Sequence, residues 1–197
     1  MRLILASQSA ARRALLTQAG LAFEAQPAAV DEAAIKESAR AEGLSPADAA
    51  TLLADAKAAR VARRHPEAVV IGADQLLVCE GEWFDKPADV EAARAHLRRL
   101  RHRAHELVTA VVVWRDGARA WHHVATPRLA MRDFSDAFLD DYLAREGAVV
   151  TQSVGAYRLE GPGIQLMREV RGEHTSILGL PMLPLLAYLR DSGVIPG

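Results

Sequence analysis

One stretch restricts the fold of this chain more than any other. Val69-Val70-Ile71-Gly72-Ala73 is almost wholly aliphatic, ends on Asp74-Gln75, and resumes as Leu76-Leu77-Val78-Cys79 before Glu80-Gly81-Glu82. The run reads as a buried strand and the Glu-Gly-Glu segment as a hairpin turn. A carboxylate directly after buried aliphatics is costly to desolvate unless it is paired or bound to a cation. At a strand end Asp74 could hold a divalent metal and take a proton from water; on spacing alone it could equally be a solvated turn residue.

The neighbouring segments supply the rest of a mixed architecture. Leu3–Ala6 reads as a second buried strand. After a Ser7-Gln8-Ser9 turn, a helix is expected from Ala10 to Ala19, with Leu15, Leu16 and Ala19 on one face and Gly20 as its stop. Residues 24–44 lack a firm period and read mostly as loop with a short helix. Ser45-Pro46-Ala47-Asp48 is a strong helix start, with a capping hydroxyl, a proline in the first turn and an acid near the N-terminal dipole. That helix is expected to turn Leu52, Leu53, Ala56 and Ala59 inward and to end near His65-Pro66. Val90, Ala93, Leu97 and Leu100 recur at helical spacing after Lys86-Pro87. Leu107–Trp114 and Arg119–Met131 read as two long strands joined by residues 115–118. Ser135 caps a helix burying Phe138, Leu139, Tyr142 and Leu143, Val154–Gly163 is glycine-rich, and a last helix runs from Leu183 to Ser192 before Gly193. The class is α/β, with α+β as the alternative: a mixed sheet flanked by helices.

Composition removes whole groups of functions. With 197 residues, half of them hydrophobic, there is material for a sizeable core, as one domain spanning 1–197 or two lobes around a cleft. Twenty-four Lys and Arg against 25 Asp and Glu leave a net charge of −1, unlike a polycation or an acidic disordered chain. A single Cys excludes a disulfide scaffold and a cysteine zinc cage, and fits a reducing cytoplasm. No stretch reads as a signal peptide or a bilayer span, so no membrane partner is expected and the chain reads as cytoplasmic. Three Trp, three Tyr and four Phe are too few for a platform that stacks single-stranded nucleic acid. The basic run Arg94, Arg98, Arg99, Arg101, Arg103 has no interleaved aromatics and reads as a solvated face, so no nucleic-acid polymer is expected either.

Four places can carry chemistry. Ser7-x-Ser9-x-x-Arg12-Arg13, at a strand-to-helix junction, offers backbone N–H groups, hydroxyls and guanidinium groups that suit a phosphate; the plainer reading is a capping serine beside solvated arginines. Asp74-Gln75 is the second. Lys86, fixed beside Pro87, and Lys57 in the preceding helix could each face an anion, although most lysines are surface residues. The loop Gly155-Ala156-Tyr157-Arg158-Leu159-Glu160-Gly161-Pro162-Gly163 permits close backbone approach to a ligand. Walker, dinucleotide and nucleophile-elbow motifs are absent.

These four places fall in one order. LILASQSAARRALLTQAGLAFE near the start, VDE at 30–32, LADAKAARVA at 53–62 and VIGADQLLVCEGEWFDKP at 70–87 are the first matching stretches. HELVTAVVV at 105–113, GAYRLEGPGIQLM at 155–167 and ILGLPMLPLLAYL at 177–189 complete the set. Over essentially its whole length the chain resembles the Maf proteins, nucleoside triphosphate pyrophosphatases also described as septum-formation inhibitors. The resemblance implies a two-lobed fold with a central cleft and hydrolysis of a nucleoside triphosphate between its α and β phosphates. It implies Asp74 as proton acceptor, Glu32 and Asp74 as neighbours of a divalent metal (Mg²⁺ or Mn²⁺), and Arg12, Lys57 and Lys86 as charge-offsetting catalytic groups. Ser7, Ser9, Arg13, Gln75 and Glu160 would contact substrate, and a homodimer would fit.

Gln75 stands where threonine is usual, Glu160 where many members carry glutamine, and His102 where glycine is usual. The Asp-Gln pair and the Glu-Gly-x-Gly-Ile ending look like the 7-methyl-GTP subgroup. The alternatives are a dTTP/UTP or non-canonical nucleotide pyrophosphatase of the same fold, or a nucleotide-binding regulator of septum formation without turnover.

Overall fold

The computed structural model describes residues 1–197. Strand β1 (Leu3–Leu5) leads into α1 (Ala10–Gln18), β2 (Glu24–Ala25), α2 (Glu32–Ala41) and α3 (Pro46–Ala62). The apolar run is one unbroken strand, β3 (Val69–Cys79), followed by β4 (Glu82–Phe84), α4 (Val90–Leu100), β5 (Ala104–Arg115), β6 (Ala118–Ala125), β7 (Arg128–Met131) and α5 (Asp136–Glu146). After 3₁₀ turns at Gly147–Gln152 and Pro162–Leu166 come β8 (Met167–Arg171), α6 (His174–Ile177) and α7 (Met182–Asp191). The strands form a mixed sheet in which β1 runs parallel to β2 and β3, while β3–β4, β5–β6, β5–β7 and β7–β8 are antiparallel, as the α/β reading expected. The chain divides into two compact units: Met1–Gln75, Thr109–Ala125 and Glu173–Gly197, and Leu76–Val108 with Thr126–Gly172.

In the first unit, strand alternation sorts side chains to two faces. Leu3, Leu5, Val69, Ile71, Ala73, Val111 and Val113 share one core with Leu15 and Leu16 of α1 and Leu185 and Leu189 of α7. The opposite face receives α3. Gly72 lies so close to that helix that a Cβ there would stand 2.2 Å from the carbonyl oxygen of Ala54 and 2.8 Å from the Ala58 Cβ. This contact sets the helix's rotation, and the buried stripe is Ala50, Leu53, Ala54, Lys57, Ala58 and Val61. Leu52, expected inward, is 44 % exposed. The close approach fixes the helix's rotation, so Leu53 turns toward the sheet and Leu52, about 100° further round the helix, is left outside.

Three further expectations change. Ala19 caps α1 and is exposed, because the helix already ends at Gln18 ahead of Gly20 at φ +74°. Residues 24–44, read mostly as loop, contain the ten-residue α2, with Asp31 accepting from the Ala34 N–H at 3.0 Å. Ala39 is its one buried residue, so there was almost no apolar stripe to see. The single strand expected over Arg119–Met131 is two, β6 and β7, interrupted at Thr126-Pro127, where proline has no N–H for a ladder.

In the second unit, Leu77–Cys79 of β3 pairs with β4 across Glu80 and Gly81, both at positive φ; the hairpin expected at Glu80-Gly81-Glu82 is there, with a two-residue turn and Glu82 already in β4. β7 pairs with residues Ala104–Glu106 of β5 on one side and with β8 on the other. The basic run is neutralised locally. Arg94 pairs with Asp140 and Glu91, Arg98 and Arg101 with Asp136, Arg99 with Glu82, and Arg103 with Glu80. His102 stands at φ +62°, a conformation glycine adopts without strain.

Candidate active site

The first unit gathers six of the expected residues where β1 ends and α1 begins. This is where open α/β sheets place their ligands, beyond the carboxyl end of a strand. Ser9 caps α1, its hydroxyl accepting from the Arg12 N–H at 3.4 Å, and the buried Ser7 hydroxyl accepts from the Ser9 N–H at 3.2 Å. The plain capping role is therefore real, but the turn also aims Arg12 inward. Its Nε donates to the Gly179 carbonyl at 2.8 Å, and its Nη1 to the Ala73 carbonyl at 2.9 Å and the Ser7 hydroxyl at 3.4 Å. Burial draws the guanidinium down from its ordinary pKa, while the carboxylates of Asp74 and Glu32 pull it back up. Arg13, one residue on, is exposed.

Asp74 was expected at a strand end. It lies inside β3 instead, beyond Ile71, the last residue paired with β1, and before Leu77, the first paired with β4. Between those two paired stretches the Ala73 carbonyl accepts from Arg12 instead of from a neighbouring strand. Two residues from Gly72, it shares the face that meets α3, and Lys57 lies three residues beyond Ala54 on that helix. Lys57 Nζ donates to Asp74 Oδ1 at 2.5 Å and to Glu32 Oε1 at 2.8 Å. Both Lys57 and Asp74 are buried, so neither is a solvated surface charge. The second Asp74 oxygen, Oδ2, is buried with no hydrogen-bond partner. A buried carboxylate oxygen calls for a partner, and a proton or a cation can supply it.

Gln75 points to the other face, as alternation along a strand requires. Its Nε2 donates to Thr109 Oγ1 at 2.8 Å and to the carbonyls of Ser176 and Ile177 at 3.1 Å each, while Thr109 itself donates to the Ser176 carbonyl at 3.0 Å. The adjacent Asp74 and Gln75 thus serve two separate tasks: Asp74 joins the charge cluster, and Gln75 ties β3 to β5 and to the segment after Glu173. Arg12 holds the same segment at Gly179, whose φ of +103° and absent side chain admit the guanidinium. Thr109, Ser176 and Gly179 were missed by sequence reading, since nothing local marks a contact across 34 to 167 residues.

Lys86 and Glu160 belong to the second unit. Lys86 is an exposed residue between β4 and α4, and Glu160 an exposed residue of the glycine-rich loop. No group of three His, Cys, Asp or Glu side chains could enclose a metal. What the first unit offers is two carboxylates, Asp74 with its unpartnered oxygen and the half-exposed Glu32. That donor set suits a hard divalent cation that takes its remaining ligands from phosphate and water. No helix is long and apolar enough to cross a membrane.

Within an α/β fold, Asp74 is thus buried against the Lys57 ammonium, and Arg12 reaches the carbonyl of the preceding residue, Ala73. The chain belongs to the Maf-like protein family, whose model matches residues 2–192. It is similar to a nucleoside triphosphate pyrophosphatase of Granulibacter bethesdensis, 60 % identical over 97 % of each chain. It is also similar to one of Paramagnetospirillum magneticum, 55 % identical over 96 % of this chain and 98 % of that one. A 7-methyl-GTP pyrophosphatase of Rhizobium meliloti is 50 % identical over 98 % of this chain and 97 % of its own.

Proposed function

We propose that this chain is a nucleoside triphosphate pyrophosphatase that adds water across the bond between the α and β phosphates, releasing a nucleoside monophosphate and pyrophosphate. The observation that carries the reading is the buried, unpartnered Oδ2 of Asp74 beside Lys57 and Arg12, within a family whose relatives bear that activity in their names. Asp74 accepts the proton of the attacking water, a role worth about 10²–10⁴-fold for a positioned base. Lys57 holds Asp74 and Glu32 in place and offsets their charge, and Arg12 presents positive charge at the N-terminus of α1, where phosphate oxygens find N–H donors. Lys86 enters on the resemblance alone, as a second cation for the phosphate chain.

A divalent cation held by Asp74 and Glu32 would neutralise phosphate charge and orient the reacting groups. The preferred base is proposed to be 7-methylguanine. Glu160, a carboxylate where many relatives carry glutamine, can accept from the N1 and N2 hydrogens of guanine and attracts the positive charge that methylation places on the ring. Pyrophosphate release by Asp74→Asn with Mg²⁺ tests the base; turnover within about threefold of the parent sinks the assignment. A kinetic panel of 7-methyl-GTP, GTP, dTTP and UTP tests the selectivity, which fails if 7-methyl-GTP is the poorest substrate.

A further inference from the structure

The loop from Ser153 to Gly163 carries Glu160 and has almost no regular structure of its own, so side chains give it its shape. Ser153 brackets Tyr157, its hydroxyl accepting from the Tyr157 N–H at 3.1 Å and donating to the Tyr157 carbonyl at 2.8 Å. Tyr142 of α5 donates to the Ala156 carbonyl at 3.0 Å, and the buried Glu146 carboxylate takes Arg158 at 3.1 Å. Ala156 is held at φ +56°, a conformation that a non-glycine residue keeps only when its surroundings impose it. Gly155 lies against the Tyr157 ring, where a Cβ would stand 2.2 Å from Cε1.

A buried side chain of β5 ties the loop to the sheet: His105, only 1 % exposed, has its Nε2 2.7 Å from the Tyr157 hydroxyl. The two rings meet edge to face at 5.6 Å between centroids. Tyr157 is itself buried, and its hydroxyl proton has no other acceptor among its hydrogen bonds, so satisfying that proton assigns Nε2 as the acceptor. The imidazole proton is then on Nδ1, which is buried without a partner. A group that leaves one polar atom unsatisfied in order to make one hydrogen bond points to a role for that bond beyond packing. Burial keeps His105 neutral, its pKa lowered to about 4, so the acceptor lone pair is present throughout the neutral range.

We infer that the His105–Tyr157 hydrogen bond pins the 153–163 loop and thereby positions Glu160, which makes His105 a positioning residue for nucleotide selection. The inference rests on the proposed pyrophosphatase reading and deepens it. His105 acts by holding Tyr157, two residues from Gly155 and three from Glu160, in one place.

The test compares His105→Phe, His105→Gln, Tyr157→Phe and Glu160→Gln with the parent in two measurements. One is backbone hydrogen exchange over residues 153–163 without nucleotide; the other is kcat and KM for 7-methyl-GTP and UTP. His105→Phe keeps a ring but no acceptor, and it should speed exchange in the loop about tenfold and raise KM for 7-methyl-GTP by a similar factor, with kcat within about threefold. Tyr157→Phe, which removes only the hydroxyl, should behave alike and covers the case in which His105→Phe fails to fold. His105→Gln, whose amide oxygen reaches the Nε2 position, should restore both readouts.

The inference is overturned if exchange is unchanged in His105→Phe and Tyr157→Phe, or if kcat falls equally for both nucleotides with KM untouched. A 7-methyl-GTP to UTP preference moved by Glu160→Gln but not by the other two overturns the inference and leaves the functional reading standing. A preference moved by none of them overturns both the pin and the role of Glu160. Absence of turnover on every nucleotide overturns the pyrophosphatase reading, and the exchange comparison still decides whether the pin exists.

Discussion

Gly72→Ala is the sharpest perturbation the first unit offers, because it puts a methyl group at the point where β3 touches α3. The new Cβ would stand 2.2 Å from the Ala54 carbonyl oxygen and 2.8 Å from the Ala58 Cβ. Restoring ordinary contact requires strand and helix to part by about 1 Å, since packed interiors hold no spare space. Overpacking of a core costs about 1–3 kcal/mol, and a fixed backbone atom as the obstacle puts this case at about 3 kcal/mol. With a urea dependence of about 2 kcal/mol per molar, the unfolding midpoint should fall by about 1.5 M.

Lys57 moves with α3, so its 2.5 Å contact with Asp74 opens as the helix retreats. A misplacement of about 1 Å in such a site costs about 100-fold in turnover. Urea titration by tryptophan fluorescence, with pyrophosphate release measured on the folded fraction, reads both effects. Ala58→Gly in the same background should rescue little, because the closer clash is with the Ala54 backbone. A Gly72→Ala protein with the parent's midpoint and turnover would refute the claim that this glycine sets the spacing of the site.

Other consequences follow from the same contacts. Lys57→Met leaves Asp74 buried without its ammonium and should cost about 3–5 kcal/mol in urea unfolding; adding Asp74→Asn should return part of that loss, and equal losses in the single and double variants refute the pairing. His105 has a folded pKa of about 4 against an ordinary 6.5, so below pH 6.5 the unfolded chain takes up a proton that the native state refuses. Its contribution is fully favourable above that pH and is lost as pH falls to about 4, by about 3 kcal/mol in all. Urea midpoints at pH 7.5 and 4.5 should therefore drop less in His105→Gln than in the parent, and equal drops refute the assignment. His102→Gly relieves the left-handed backbone at φ +62° and should raise stability by about 0.5–1 kcal/mol; a lower midpoint would count against strain at that residue.

Much of the charge cluster was legible beforehand because its parts are local. Ser7, Ser9 and Arg12 belong to one strand-to-helix turn, and Asp74 announces itself as an acid in an aliphatic run. Lys57 needed the family resemblance, since a lysine in an alanine-rich helix looks like any surface lysine. Helix α2 went largely unseen because it buries a single alanine, and β8, exposed along nearly its whole length, has no apolar alternation to read. Leu52 misled for a related reason: hydrophobic pattern reports which residues favour burial, and the Gly72 contact decides which ones the sheet can accommodate.

What the sequence determined by itself was the alternation of elements, the capping turns and the types of residue able to handle phosphate and protons. These depend on neighbours within a few positions, where backbone geometry and side-chain period leave little choice. Tertiary structure alone decided that Asp74 and Gln75 part company, one toward Lys57 and Glu32, the other toward Thr109 and the Ser176 carbonyl. It alone left Asp74 Oδ2 buried and unpartnered, and joined His105 to a tyrosine 52 residues away. Adjacent residues on a strand must face opposite ways, and only the packing of helices onto those faces determines what each one meets.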